Sequence, residues 1–404
     1  MTGNIYMKIA VLTSGILPIP AVLGGAVENL IDIYLEYNDK YHLHDITVYS
    51  VYHPDIHKHP ALQSQVNHYH FVDVSSLWAK IKRRLYKYRR KAEPYNHFIG
   101  YYFDQSLRHL LKHNYDLIIL ENRPSYALKL INRTNAKLIY HLHNEKLTKS
   151  TPDYQKIYDA AYKIINVSNY ITSCVKTINP KDTKCVTVLN GINLEAFLPK
   201  RIVHINREDI GFDKNDFIIV FNGRINKEKG ISELVDALLQ LEDYPLIKLM
   251  VIGSSFFANE NTEDDFIMTL KTKSQTISER IHFTGFIPYE KIPSYLFIAD
   301  IAVLPSIWEE PFGLTIVEAM AAGLPLITTR SGGIPEVCEN SAIIIERSNI
   351  VSNLKNAILH LYNNIDVRKE LSASSLSRSR LFSKEKFAES FLAALEETRQ
   401  NADS

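Results

Sequence analysis

Residues 301–321 read IAVLPSIWEEPFGLTIVEAMA: four apolar residues, a turn carrying two glutamates, then a glycine and a helix-period pattern. A short β-branched run followed by a polar turn and an amphipathic stretch is a strand feeding a helix. The same grammar recurs on both sides of it. Upstream, strands are expected at 8–13, 46–51, 116–120, 137–141, 164–167 and 185–189. A second series is expected at 217–221, 248–252, 280–283, 301–304, 326–328 and 342–345. Buried β-branched runs alternating with helices form parallel sheets covered on both faces. Two such series predict an α/β protein of two Rossmann-like domains, residues 1–197 and 198–383, with parallel sheets facing across a cleft. A last amphipathic helix, about 384–404, has nothing left to pair with in its own domain and is expected to pack back on the first.

Composition narrows the classes. The chain has 404 residues, with 46 basic and 45 acidic side chains, a length suited to two ordinary domains. Apolar residues make up 46% and charged residues 23%, which excludes wholesale disorder and fibrous repeats. No run of 18 apolar residues occurs, so no membrane span is expected. Three cysteines, Cys174, Cys185 and Cys338, make neither a disulfide framework nor a zinc knuckle. They fit a reducing, cytoplasmic setting. Residues 9–23 follow Lys8 like the apolar core of an export signal, but Pro18 and Pro20 interrupt them and no small-x-small site follows. Val27, Leu30, Ile31, Tyr34 and Leu35 then set one apolar stripe, so strand, glycine turn and helix is the better reading.

The near-neutral total hides an asymmetry. Residues 1–200 hold 25 basic and 16 acidic side chains, and the remainder 21 and 29. Opposite charges on two domains point to different partners, one of them acidic or membrane-like; chance drift is the plain alternative.

Three clusters in the second half matter most. Residues 221–230, FNGRINKEKG, follow a strand; Gly223 permits a tight turn, and Arg224 and Lys229 lead toward a helix N-terminus. Two cations and free amides there suit a diphosphate, although solvated Arg and Lys are common after strands. In the second cluster Glu310 precedes a helix and Glu318 lies about two turns inside it, with the amides of Phe312, Gly313 and Leu314 between them. Carboxylates at both ends suit sugar hydroxyls, and the amides suit phosphate or developing negative charge. On spacing alone, Glu310 could equally complement the helix dipole and Glu318 be a solvated helix residue. The third cluster, Ser331-Gly332-Gly333-Ile334-Pro335-Glu336, reads as structural, shaping a wall.

The order G-R-x4-K-G, E-P-F-G-x4-E-A-M-A, G-G-x-P-E resembles the retaining glycosyltransferases of family 4, the group 1 glycosyl transferases with the GT-B fold. Gly24-Gly25 resembles the family's first glycine loop, and Asn190-Gly191-Ile192-Asn193 with Phe197 its interdomain segment, with Asn193 where Asp is usual. The likeness spans nearly the whole chain, strong over 223–336 and weak over 40–140.

The resemblance implies roles position by position. Arg224 and Lys229 would hold the donor diphosphate and neutralise it as it leaves. Glu318 would bind the nucleotide ribose, Glu310 the transferred sugar, and the amides of Phe312 to Leu314 the sugar and phosphate. Gly25 would admit the backbone close to the donor, and Phe286 and Ile287 would contact the base. His143 would stand near sugar and acceptor, with His141 its rival because a strand places both on one face. Arg123, after the strand at 116–120, would meet an acidic acceptor or merely make a turn. The implied reaction is metal-independent, retaining transfer from a nucleotide sugar, UDP preferred and GDP next on family frequency. Front-face attack replaces the usual nucleophilic carboxylate. No cofactor or metal is expected, and Asp264-Asp265 reads as solvated loop.

Residues 77–91, LWAKIKRRLYKYRRK, carry eight cations and no acid beside an apolar stripe of Leu77, Trp78, Ile81, Leu85 and Tyr88. That composition suits a helix lying on an anionic membrane, and hence a lipid-linked or envelope-polysaccharide acceptor at the inner face of the cell membrane. The alternative is a solvated basic helix whose stripe faces the core. Nucleic acid is not an expected partner, since no reader motif accompanies the charge. The rival functions are a nucleotide-sugar 2-epimerase of the same fold and a non-catalytic sugar-binding or coat protein.

Overall fold

The computed structural model describes residues 7–89, 97–254 and 265–400. The chain divides into two compact units, Met1–Leu189 with Phe387–Ser404, and Asn190–Lys386. The boundary falls earlier than the expected 197 because residues 190–197 are tied into the second unit. Ile192 pairs in parallel with Ser383, its N–H donating to the Phe382 carbonyl at 2.9 Å and its carbonyl accepting from Lys384 N–H at 2.9 Å.

The first unit holds a seven-stranded parallel sheet. Its strands are β1 (Lys8–Leu12), β2 (Asp45–Val51), β3 (Asn67–Val72), β4 (Leu117–Glu121), β5 (Lys137–Leu142), β6 (Ala161–Asn166) and β7 (Cys185–Thr187), in the order β3-β2-β1-β4-β5-β6-β7. The inner strands are buried along almost their whole length, as helices on both faces require. The expected stripe on helix Ala26–Tyr41 is realised: Leu30, Ile31, Tyr34 and Leu35 are buried. Edge strand β3, Asn-His-Tyr-His-Phe-Val, had no place among the expected strands. Asn67 at its start is buried, donating to the Leu35 carbonyl and accepting from Asn38 Nδ2, each at 2.8 Å.

The last helix, Lys384–Gln400, supplies core to the first unit from Phe387 onward. Phe387, Phe391, Leu392 and Leu395 cluster with Ile9, Val11, Tyr34, Ile119 and Ile139. The Phe391 ring stacks on Tyr34 at 4.5 Å. Lysines meet carbonyls toward the helix's C-terminal end: Lys163 Nζ donates to the Ala394 carbonyl at 2.7 Å, and Lys137 Nζ to that of Thr398, in the last turn, at 2.6 Å.

The second unit repeats the plan with six strands: β8 (Phe217–Asn222), β9 (Ile247–Ile252), β10 (Ile281–Gly285), β11 (Ile301–Leu304), β12 (Leu326–Thr329) and β13 (Ala342–Ile345). Their order is β10-β9-β8-β11-β12-β13, all parallel.

Helix Leu77–Arg89 carries the basic segment; Arg90 and Lys91 lie outside the described residues, as do the side chains of 87–89. Its packed side is not the apolar stripe. Ala79 is buried, Tyr86 donates to Asp104 at 2.6 Å and Arg83 to the Val74 carbonyl at 2.5 Å. Leu77 and Trp78 are 78% and 72% exposed, and Ile81 and Leu85 are also open to solvent. The stripe therefore does not face the core.

Phe391→Ala is expected to cost about 3–5 kcal/mol of stability in chemical denaturation, the usual toll for emptying a buried aromatic site. A loss under about 1 kcal/mol would contradict the helix's place in that core.

Candidate active site

In the second unit the winding reverses between β8 and β11, and the carboxyl ends of strands at such a point are where open α/β sheets bind ligands. Asn222 ends β8, and its Nδ2 donates to Glu318 Oε2 at 2.8 Å. Glu318 lies inside helix Leu314–Ala321 and is 6% exposed, so it is not a solvated helix residue. Burial raises its carboxyl to about 7, against the opposing pull of hydrogen bonds from Asn222 and Tyr289. The Tyr289 ring is partly exposed while its hydroxyl turns in on Glu318. Tyr289 shares the loop after β10 with Phe286 and Ile287, and Phe286 is exposed there.

Lys229 and Glu310 meet directly. Lys229 closes the single turn Lys227–Lys229, whose N-terminus Asn226 caps by accepting from the Lys229 amide at 3.2 Å. Its ammonium donates to Glu310 Oε2 at 2.5 Å. The same oxygen accepts from Trp308 Nε1 at 3.1 Å, and Lys229 Nζ lies 5.8 Å from the Trp308 ring centroid. Arg224 is exposed just after Gly223. Lys229 is thus already neutralised by a carboxylate.

The third motif holds Glu310 from behind. Gly332 has φ +51°, and a Cβ there would sit 2.2 Å from the Glu310 carbonyl oxygen. Gly333 N–H donates to that carbonyl at 2.8 Å, and Gly332 N–H to Glu309 Oε2 at 2.6 Å. Only glycine allows two segments to approach this closely. Gly313, φ +93°, is the N-cap of the Glu318 helix. Among the described residues, the amides of Phe312, Gly313 and Leu314 donate to no protein acceptor. The Phe312 side chain is buried against Phe382, rings 5.8 Å apart, so that residue offers its backbone.

In the first unit the carboxyl ends of β4 and β5 bring Glu121, His141 and His143 together. Glu121 Oε2 accepts from His141 Nδ1 at 2.9 Å and from His143 Nε2 at 3.2 Å. Burial would raise the Glu121 carboxyl, but attraction to His141 and hydrogen bonds from both imidazoles outweigh it and bring it down to about 2. Burial and the neighbouring His141 lower His143 to about 4, which leaves it neutral at physiological pH. His141 is fully buried and packs on Phe391 at 4.7 Å. Arg123 is also buried, and its carbonyl accepts from Tyr126 N–H at 3.0 Å, the turn that the sequence left open. Its charge, after burial, helps lower Lys146 to about 8. Gly25, φ +111°, is the N-cap of helix Ala26–Tyr41, and a Cβ there would lie 2.3 Å from Glu28 Oε2.

Sequence reasoning assigned no role to Asn222, Tyr289, Trp308 or Glu121. Asn222 and Glu121 each end a strand, the positional signal that could have found them. Trp308 and Tyr289 had no such signal, since Trp308 sits in a loop and Tyr289 opens the single turn Tyr289–Lys291. Glu121, His141 and His143 are also the one described trio whose donor atoms lie close enough, within 4.8 Å, to hold a metal ion.

Residues 203–377 match the model of the family described as glycosyl transferases group 1. Spore coat protein SA of Bacillus subtilis is 29% identical over 345 residues, covering 82% of this chain and 83% of that protein. Alpha-monoglucosyldiacylglycerol synthase of Acholeplasma laidlawii is 26% identical over 63% of this chain and 72% of its own length. Among solved structures, Anabaena HepE in complex with UDP and glucose superposes with a TM-score of 0.71 at 20% identity, covering 97% of this chain and all of that one. Residues 203–377 are thus similar to the group 1 glycosyl transferases, and the fold of the chain is of GT-B architecture.

Proposed function

We propose that the chain transfers a sugar from a nucleotide diphosphate donor, UDP first and GDP second, with retention and without a metal, to a lipid-linked or envelope-glycan acceptor. The observation that carries the reading is the pair of contacts at the β8–β11 switch, Asn222 with Glu318 and Lys229 with Glu310. Glu318 accepts from the ribose hydroxyls, Phe286 and Ile287 flank the base, and Arg224 stands beside the diphosphate. Lys229 cannot spend its full charge on phosphate while Glu310 holds it. A donor sugar resolves this, because its hydroxyls supply new hydrogen bonds to Glu310 and leave the ammonium to the leaving group. Sugar recognition and leaving-group stabilisation are thereby coupled.

In the reaction the bond between the anomeric carbon and the diphosphate oxygen breaks, with its electron pair leaving on the diphosphate. The acceptor oxygen bonds to the same face, and its proton passes to the departing phosphate. Arg224, Lys229 and the amides of Phe312 to Leu314 oppose the charge that develops there, each well-placed donor contributing roughly 3–4 kcal/mol. The complex of HepE with UDP and glucose supports a UDP-sugar donor.

The exposed stripe of helix Leu77–Arg89 supports a membrane-borne acceptor. Beside it lies a concavity of about 380 Å³ lined by Asp73, Trp78, Lys82, Arg108 and Lys112, three cations against one carboxylate, suited to an anionic headgroup. The lipid named in the product of the Acholeplasma relative is consistent with this. The name of the Bacillus relative keeps a coat role without turnover as the second reading.

UDP at about 100 times its Kd should add about 2.7 kcal/mol of stability, visible as a raised melting temperature that EDTA leaves unchanged and Glu318→Ala abolishes. Stabilisation by no nucleotide moves the coat reading forward. Glu318 also sets a pH dependence. The folded protein keeps a proton between the ordinary 4.5 and about 7 that the unfolded chain releases, so ligand-free stability falls as pH rises through that window. UDP needs the ionised carboxylate, so calorimetric affinity should rise with pH across about 7, and Glu318→Gln should flatten that rise. An equal pH slope in the variant would remove Glu318 from the site. Cosedimentation should favour anionic over neutral vesicles and weaken with Trp78→Glu; equal or absent binding would sink the membrane reading.

A further inference from the structure

Glu121 belongs to none of the three motifs, yet it organises the first unit's polar centre. Its carboxylate is completely buried and accepts three hydrogen bonds: Tyr34 Oη at 3.0 Å to Oε1, His141 Nδ1 at 2.9 Å and His143 Nε2 at 3.2 Å to Oε2. A buried carboxylate without partners would be strongly unfavourable; three donors make it a fixed point. Each donor comes from a different position: Tyr34 from helix Ala26–Tyr41, His141 from within β5, and His143 from just beyond it. Tyr34 and His141 are themselves held by Phe391, at 4.5 and 4.7 Å.

The backbone reinforces the arrangement. Asn122, in the left-handed region at φ +57°, donates its N–H to the His141 carbonyl at 2.8 Å, and its Oδ1 accepts from His143 N–H at 3.3 Å. The ends of β4 and β5 are thus locked in register at the point where His143 leaves the sheet. His143 Nε2 is committed to Glu121. Among the described residues its Nδ1 makes no hydrogen bond, and it is not sealed from solvent, whereas the corresponding free nitrogen of His141 is buried. A neutral imidazole that donates from one nitrogen must present a lone pair at the other.

We propose that Glu121 is a positioning residue for transfer, holding His143 in the Nε2–H tautomer so that Nδ1 faces outward as a hydrogen-bond acceptor for a sugar or acceptor hydroxyl. This rests on the transferase reading for its consequence, though not for its geometry. His141 is a second donor that keeps the carboxylate oriented, and Tyr34 a third. Glu121→Gln replaces a fixed acceptor by an amide that can turn its NH₂ toward His143, which favours the opposite tautomer.

The test has two arms. Nitrogen-15 correlation spectra of the histidine rings in the full chain, with His143 assigned by His143→Ala, should show Nε2 protonated in the native protein. In Glu121→Gln the signal should move to the Nδ1–H form or a mixture. In the second arm, a displacement of this kind should lower kcat for transfer or donor hydrolysis on the order of 10²-fold, with KM and nucleotide affinity unchanged. The double variant Glu121→Gln/His143→Ala should then be no slower than His143→Ala alone. Losses that multiply, or a native His143 protonated at Nδ1, would overturn the proposal. If Glu121→Gln does not fold, Tyr34→Phe, which removes a single donor, takes its place in the cycle and the native spectrum still decides. A native protein that turns over no nucleotide sugar counts against the transferase reading, while the ring spectrum decides on Glu121 independently.

Discussion

A sheet whose strands all run parallel sends every carboxyl end to the same edge and buries both its faces under helices. Both sheets of this chain obey that constraint, and the candidate residues follow from it. Asn222 ends β8, Glu121 ends β4, and His143 leaves β5 one residue beyond its end. Glycines then open two of the covering helices. Gly25 and Gly313 are both N-caps with positive φ. The site chemistry is therefore gathered on strand edges and helix starts, where unpaired amides and positive helix ends already lie.

Placing charge on such edges requires partners, since unpaired buried ions are strongly unfavourable. The chain solves this three ways. Glu310 is paired with Lys229. Glu318 has only neutral donors, which oppose but do not cancel the rise that burial gives its carboxyl. Glu121 has three donors and is held low. The same residue type thus takes three electrostatic settings, each fixed by what surrounds it. Lys229 is held by Glu310, so any anion that draws on its charge must compete with that carboxylate.

Much of this was legible in the sequence, for reasons that can be named. β11 and the turn after it announced themselves because four buried apolar residues and a helix-period pattern leave no other local solution. Edge strand β3 did not, because Asn67, His68 and His70 give it no apolar run; its place depends on the long-range Asn38–Asn67 lock. The carboxylates of E-x7-E could be located but not their states, since burial of Glu318 and pairing of Glu310 are set by Asn222 and Lys229, more than 80 residues away. His141 and His143 looked equivalent by strand alternation, and only Phe391, from the far end of the chain, seals one and not the other. The apolar stripe at 77–85 was legible as a stripe, while its outward direction depended on Ala79 being the small face that packs.

The most direct examination of the account is a crystal structure of the chain with UDP bound. The account places the ribose hydroxyls on the Glu318 carboxylate and the diphosphate within hydrogen-bond reach of Arg224 and Lys229, with Lys229 drawn away from Glu310. A nucleotide seated elsewhere, or one seated here with the Lys229–Glu310 contact undisturbed and Glu318 untouched, would contradict it.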